Sequence, residues 1–271
     1  MGRIYLFGIL LNEDALFKEV FMNNGYQNEK GFVKLFNKKY LYELDQNSQN
    51  FIKDLFIDEI EIDDSEQIIS WKNKSIQKSD IFIKYKNYVK GISIKCGNNN
   101  SVHHEQIQEF ERFLAKYIPY KVVDKYISYH YGYKRGCDGK TDYTVKLTSE
   151  QYKQLYQKEL DIFNKFVNKT RIIIDMTDRF IIRGTNSDFD ISALIHGTPE
   201  DYVWIKKYDI YDLVLSKRCL EFTSPHIACM TIGPQKRCIE SDKNVKDRYL
   251  VAIRWNYLKE DIINFKNIRN L

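Results

Sequence analysis

The chain has 271 residues, of which 43% are hydrophobic and 14% aromatic, with 42 Lys and Arg against 37 Asp and Glu. This length allows one large domain or two modest ones, and the hydrophobic and aromatic content excludes a disordered chain. No run of about 18 apolar residues occurs, so the sequence predicts no membrane-spanning helix and no membrane partner. The net charge of +5 permits a nucleic-acid partner without requiring one.

The N-terminal segment and the cysteines bear on the cellular compartment. Residues 1–17 place a single basic residue before a short apolar patch and contain no small-residue cleavage site, so we expect no signal peptide. The five cysteines are odd in number and irregularly spaced. Reduced thiols fit this pattern better than a disulfide framework does, and we therefore expect a cytoplasmic protein.

The first half of the chain predicts helices, strands, a helix and a strand, in that order. Phe32, Leu35 and Phe36 recur at helical spacing, which indicates a helix from about Asn28. The elements expected after it are a short helix over 47–56 capped at Ser48, a strand over 66–73, a β-hairpin over 80–96 turning near 86–87, an amphipathic helix over 102–118 and a strand over 120–132.

The second half predicts a long helix followed by strand-rich structure. The helix covers about 148–169 and is capped at Thr148 or Ser149. We expect strands over 171–184 and over 248–258. The glycine-rich and charged stretch 131–142 is the softest boundary, and it would divide the chain into 1–135 and 136–271.

The β-hairpin carries the residues that suggest a reaction. Asp80 opens its first strand, and Ser93 and Lys95 lie two positions apart on its second strand, so both side chains leave one face of the sheet. Ile92 and Ile94 then point to the opposite face, toward the core. Metal-dependent hydrolysis of a phosphodiester needs oxygen ligands for the cation and a positive group near the attacking water or the phosphate. Asp80, the Ile94 carbonyl and Lys95 can supply these groups.

This pattern, Asp80 followed after twelve residues by Ser93-x-Lys95, resembles the restriction-endonuclease-like nuclease superfamily, the PD-(D/E)xK fold, over about residues 25–130. The resemblance implies a mixed α/β fold with an αβββαβ core and added C-terminal elements. It also implies cleavage of nucleic acid, DNA before RNA, with Mg²⁺ or Mn²⁺. On this resemblance Asp80 binds the metal, Lys95 positions or activates the water, and Glu29 is the helix glutamate that joins the metal site.

Two positions depart from the family pattern. Ser79 stands where proline is usual, and Ser93 stands where a second carboxylate is usual and could hydrogen-bond within the catalytic group. Because serine is a poor anchor for Mg²⁺, the missing charge has to come from elsewhere. Glu29 and Glu105 are the candidates.

Other polar residues are candidates for contact with the substrate. Those near the start of the helix expected over 102–118 would lie where a helix N-terminus attracts anions, and a basic pair near the C-terminus could contact phosphates. These candidates are His103, His104, Glu105, Gln108, Lys236 and Arg237. For each of them an ordinary surface or half-buried role is the alternative. We expect nucleic acid, DNA first, as the partner, and a homodimer is the oligomer to test.

Two alternatives compete with the nuclease. The first is a module of the same fold with a decayed site that binds nucleic acid or a protein, which the serine at position 93 motivates. The second is a nucleotidyltransferase that uses Asp188 and Asp190. Proteins of that type place a Gly-Ser pair about ten residues upstream of the acids, whereas Gly184-Thr185 lies directly beside them here.

Overall fold

The computed structural model describes residues 13–75, 78–97, 101–135, 141–185, 189–218, 224–235 and 249–269. The helices are α1 Glu13–Phe36, α2 Gln46–Phe56, α3 Ile107–Leu114, α4 Tyr120–Tyr131, α5 Ser149–Val167, α6 Thr170–Thr177, α7 Lys207–Ser216 and α8 Leu258–Arg269. A 3₁₀ turn covers Leu41–Glu43 and a π-helix covers Asp178–Ile182. None of the helices within these ranges has the length and apolar character needed to cross a membrane.

Eleven strands are formed by the described residues. They are β1 Ile69–Lys72, β2 Ile81–Tyr85, β3 Tyr88–Lys95, β4 Ser101–Gln106, β5 Tyr133–Arg135, β6 Thr141–Lys146, β7 Ala193–Thr198, β8 Asp201–Lys206, β9 His226–Ile227, β10 Met230–Pro234 and β11 Leu250–Arg254. Strands β5 and β6 pair only with each other. The rest build two larger sheets, so the mixed α/β class predicted from the sequence is confirmed.

The first sheet has five strands in the order β1-β2-β3-β7-β8. Strands β1, β2 and β3 form an antiparallel meander, and β7 pairs with β3 in parallel. The β2–β3 hairpin turns at Lys86, whose φ of 51° is the left-handed backbone conformation that lets a tight turn match the right-handed twist of its strands. Alternating residues such as Ile81 and Ile83 are buried under α1 and α2, where Phe32 and Phe51 complete an apolar core.

The second sheet has four strands in the order β4-β11-β10-β9. Its apolar face packs against helices α3 to α7 in a separate core, with Phe110, Tyr126, Phe163 and Trp255 among the fully buried side chains. The chain leaves the first sheet at the end of β3. The next strand, β4, pairs with β11 of the second sheet, about 150 residues later in the sequence. The end of β3 is therefore the point where the chain passes from one sheet to the other.

The pairings of both sheets cross residue 135. Strands β7 and β8 return to the sheet built by β1–β3, and β4 belongs with β9–β11. The sheets themselves therefore do not separate at the boundary expected near 135. The strand that runs parallel to β3 is β7, and not residues 120–132.

Three helix or strand assignments from the sequence are wrong. Residues 102–106 were expected in a helix and lie in strand β4, because their backbone pairs with β11. Residues 120–131 were expected as a strand and form α4, which buries Val123, Tyr126 and Ile127 along one helical face. Residues 171–182, expected to be strand-rich, form α6 and the π-helix.

Other local assignments are confirmed. The hairpin turn at 86–87, the strand at 69–72 and the final strand β11 are present. Helix α5 begins after Thr148, whose hydroxyl accepts from the Gln151 amide in a reciprocal capping box.

The cap of α2 differs from the prediction. It is Asp45 rather than Ser48, because the Asp45 carboxylate accepts from the Ser48 backbone amide at 3.0 Å.

Candidate active site

The start of β2 is fixed on both sides by its neighbours. The Asp80 amide donates to the Ile92 carbonyl on β3 at 2.8 Å, and the Asn73 amide donates to the Asp80 carbonyl at 3.0 Å. The Asn73 side chain adds a 2.7 Å bond to the carbonyl of Ser79. The Asp80 carboxylate is therefore attached to a rigid piece of sheet, as a reactive group requires.

Asp80, Ser93 and Lys95 come together as the sequence predicted. One carboxylate oxygen of Asp80, Oδ2, accepts from the Ile94 amide at 2.6 Å and from the Ser93 hydroxyl at 3.1 Å. The Lys95 Nζ lies 3.7 Å from the same oxygen. The Ser93 side chain is fully buried, whereas those of Asp80 and Lys95 are 26% and 20% exposed, so solvent or a ligand can reach the charged pair.

Glycine at position 91 makes this close strand pairing feasible. A Cβ at Gly91 would lie 2.2 Å from the Ser79 hydroxyl, a distance that real side chains do not adopt. Ser79 is buried and its hydroxyl has no hydrogen-bond partner in the structure. The Ser79–Asp80 segment can thus lie flat against β3 only because residue 91 has no side chain.

Lys78 is a nearby cation that no motif in the sequence indicates. Its Nζ donates to the carbonyls of Val102 on β4 and Phe180 in the π-helix, both at 2.5 Å. Burial, assisted by the positive charge of Lys95, lowers the pKa of the Lys78 ammonium to about 7, and the Asp80 carboxylate opposes that shift. Lys78 therefore ties the segment before Asp80 to the second sheet and adds positive charge beside the candidate site.

Glu105 does not join Asp80. It lies on β4, with a side chain only 3% exposed, and Arg179 of the π-helix binds both of its oxygens at 2.6–3.3 Å. The Arg179 guanidinium also lies over the Phe113 ring. Such a fork-shaped pair occupies the carboxylate, so the structure does not bring the predicted metal ligand Glu105 to the site.

His103 is enclosed next to this ion pair. Its Nε2 lies 3.7 Å from a Glu105 oxygen, too far for a hydrogen bond, and its ring packs against Phe180. Burial lowers the pKa of the His103 imidazole below its ordinary value. A buried side chain cannot contact a substrate directly, so the predicted role of His103 in substrate binding is not supported.

Glu29 is engaged by a cation on the first sheet. Its carboxylate is 2.6 Å from the ammonium of Lys72 on the edge strand β1, and that ammonium lies over the Tyr26 ring. The Lys72 backbone pairs with Ile81 on β2. The Glu29–Lys72 ion pair therefore belongs to β1, the edge strand next to the strand that Asp80 opens. In the described part of the chain no three His, Cys, Asp or Glu side chains form a group that could hold a metal ion.

The other predicted substrate contacts have different outcomes. His104 is exposed on β4, and its Nε2 shares a 2.9 Å hydrogen bond with the Ser101 hydroxyl. Gln108 is exposed on the first turn of α3. Lys236 and Arg237 lie outside the described residues, so their role stays a prediction.

The nucleotidyltransferase alternative receives no support from Asp190. Its carboxylate accepts from Arg183 at 2.8 Å and also pairs with the Lys207 ammonium. A carboxylate held by two cations is a poor ligand for catalytic metal ions. Asp188, the other acid of that alternative, lies outside the described residues.

Comparison with known proteins adds no relative. No family model matches the chain, and no curated protein matches it significantly. The geometry of the site is therefore the basis for its chemistry.

Mg²⁺ often keeps several waters and binds through one or two carboxylates together with substrate phosphates. Asp80 meets that minimal requirement, since it is a partly exposed carboxylate beside the buried Ser93 hydroxyl. The larger ligand set predicted from the sequence does not assemble, because Glu29 and Glu105 are paired with Lys72 and Arg179. The residues fit a metal held by Asp80 and the substrate, and not one held by three carboxylates.

Proposed function

We propose that this protein is a metal-dependent nuclease that hydrolyses phosphodiester bonds of nucleic acid, with DNA the first substrate to test. The observation that carries the proposal is the approach of the Lys95 ammonium to within 3.7 Å of the Asp80 carboxylate, at the partly exposed place where β2 begins and β3 ends inside the first sheet. A resemblance in residue pattern, Asp80 and Ser93-x-Lys95, supports it, as does a sheet in which β7 runs parallel to β3.

Lys95 is placed to bind the phosphate. Its ammonium lies at the end of β3 with a side chain one-fifth exposed, and the buried Lys78, with its pKa lowered to about 7, adds a partial positive charge nearby. Cations positioned in advance at a phosphoryl group stabilise the charge that grows on its oxygens during hydrolysis. Lys95 would thus neutralise a non-bridging oxygen or orient the attacking water.

In this proposal the Asp80 carboxylate orients the metal ion and the attacking water. The Ile94 amide and Ser93 hydroxyl hold its Oδ2, which fixes the direction of the carboxylate plane. Asp80, together with the substrate, is the residue that would hold Mg²⁺ or Mn²⁺, and the Ser93 hydroxyl would orient its carboxylate. When bound, such an ion supplies Lewis acidity toward the phosphate and makes water a better nucleophile.

A cleavage assay tests the proposal. Supercoiled and linear DNA and single-stranded RNA would be incubated with the purified protein in Mg²⁺, in Mn²⁺ and in EDTA. We expect cleavage with a divalent ion that falls by about 100-fold or more in Asp80→Asn and in Lys95→Ala. Lys84→Ala is the matched control, because Lys84 is exposed on β2 and distant in register from Asp80.

A second function is favoured by the ion pairs that occupy Glu29 and Glu105. With only one carboxylate at the site, the fold could bind nucleic acid without cutting it. Calorimetric titration with Mn²⁺ separates the two functions. Nucleic-acid binding that weakens with salt, together with no measurable Mn²⁺ binding and no cleavage, would favour the binding module.

A further inference from the structure

A cavity of about 290 Å³ lies in the second part of the molecule, among α4, β10, β11 and the segment before β9. This volume is several times the roughly 30 Å³ that a water molecule occupies in the liquid, so a tetrahedral anion with attached waters fits inside. The residues that line it are mostly polar or backbone-rich: Tyr129, Ser224, Pro225, Thr231, Ile232, Gly233, Pro234 and Arg254.

Arg254 is the charged residue of this lining. Its Nη2 donates to the carbonyls of Pro234 at 3.0 Å and of Gln235 at 3.2 Å, which fixes the guanidinium at the end of β11. Among the described residues no carboxylate forms an ion pair with it. A half-buried guanidinium that is oriented by carbonyls and has no counter-charge among the described residues is a ready partner for an anion.

Gly233 leaves room beside the guanidinium. A Cβ at this position would lie 3.7 Å from the Arg254 Nη1, which is ordinary contact distance. Because glycine has no side chain, Gly233 presents only its backbone to Nη1. The hydroxyl-bearing residues Ser224 and Thr231 line the same cavity and can donate to an anion held there.

Strand β4 connects the surroundings of the cavity with those of the candidate active site. The backbone of Arg254 pairs with that of Ser101, whose hydroxyl meets the His104 ring. Partial desolvation of its ring lowers the pKa of His104, and the positive charges of Arg254, His103, Lys78 and Lys95 add to that effect. Strand β4 thus lies between the cations of the candidate active site and Arg254.

We propose that the Arg254 cavity is an anion subsite that takes a phosphoryl group of the nucleic acid. The choice of nucleic acid as the source of that group rests on the proposed nuclease function, whereas the anion site itself rests on the cavity and on a guanidinium without an ion pair among the described residues. The substrate would contact the protein at two places, the Asp80–Lys95 pair and the Arg254 cavity, with β4 between them.

Binding in EDTA tests the proposal without cleavage. The probes are inorganic phosphate, measured by calorimetry, and a fluorescent 20-nucleotide single strand and duplex, measured by anisotropy over a range of salt. We expect Arg254→Gln to weaken phosphate binding and to weaken oligonucleotide binding about tenfold. The slope of log affinity against log salt should fall by about 1, since one phosphate contact is lost.

Two further variants keep the test decisive. Gly233→Val fills the space beside Nη1 and leaves Arg254 and its carbonyl bonds in place, so it should weaken both probes even if Arg254→Gln proves unstable. Arg112→Gln is the matched control, because Arg112 is an exposed arginine on α3 paired with Glu109. It should bind both probes as the unaltered protein does.

The outcomes separate this inference from the nuclease proposal. Unchanged oligonucleotide affinity and salt slope in both Arg254→Gln and Gly233→Val overturn the subsite, whether or not Asp80-dependent cleavage is found. Weaker binding of phosphate with unchanged oligonucleotide binding identifies a site for free anions and overturns the nucleic-acid assignment. Loss of binding for both probes supports the subsite, even if no cleavage is ever detected.

Discussion

The Glu105–Arg179 ion pair allows a sharp test of what Glu105 does. Arg179→Met removes the cation and leaves a carboxylate whose side chain is only 3% exposed. Breaking a buried pair in this way costs about 3–5 kcal/mol, because the remaining charge has lost its partner in a poorly hydrated place. For a chain of this size we expect the melting temperature to fall by roughly 6–20 °C.

The paired substitution Glu105→Leu with Arg179→Met should recover most of that loss. It removes both charges and fills the space with apolar atoms, and such replacements are often neutral or stabilising. Thermal unfolding followed by circular dichroism measures all three proteins. If Arg179→Met loses less than about 1 kcal/mol, or if Glu105→Gln abolishes divalent-ion binding while leaving stability intact, Glu105 is a ligand and our placement of it is wrong.

Three further predictions concern separate parts of the fold. Burial lowers the pKa of His226, so the unfolded state takes up a proton first as pH falls below about 6.5. The stability lost between pH 7.5 and 5.5 in urea titrations should therefore be smaller in His226→Gln; an equal loss would contradict the assignment. Ser93→Asp places a second carboxylate about 3 Å from Asp80, a repulsion of about 5 kcal/mol at an effective dielectric of 20. Its melting temperature should fall without metal and rise with Mn²⁺ more than that of the unaltered protein. Gly197 has φ +132° and a Cβ there would lie 2.1 Å from a backbone oxygen, so Gly197→Ala should cost more than about 2 kcal/mol, whereas Gly25→Ala should cost nothing.

The sequence predicted the site where its signals are local. Alternating Ile81 and Ile83 gave the β2 strand, and the spacing of Ser93 and Lys95 placed both side chains on one face of β3. A hairpin is closed by a two-residue turn, so its register follows from residues close together in the chain. The approach of Asp80 to Lys95 could be expected for that reason.

The sequence of helix α4 contains two opposing signals, a helical spacing of buried residues and a high propensity for strand. Val123, Tyr126, Ile127 and His130 follow the i, i+3, i+4, i+7 spacing of a buried helical face. The β-branched and aromatic residues of the same stretch favour a strand by propensity, which is a weaker guide than burial. In this stretch the helical spacing of the buried residues is the signal that agrees with the structure.

Partners distant in sequence explain the remaining differences. Strand β4 depends on pairing with β11, and Glu105 meets Arg179 only after the π-helix has folded against that sheet. Lys78 bonds to carbonyls 24 and 102 residues away, and Arg254 to carbonyls 20 and 19 residues away. Nothing in the neighbourhood of these residues along the chain indicates such contacts.

Single-turnover cleavage by Asp80→Asn, Lys95→Ala and the double variant, with excess protein over a labelled DNA duplex in Mn²⁺, tests the central claim most directly. If the two residues act as one unit, each single variant loses nearly all activity and the double variant is little slower than either. Cleavage by the double variant at the rate of the unaltered protein would show that the bond is broken elsewhere.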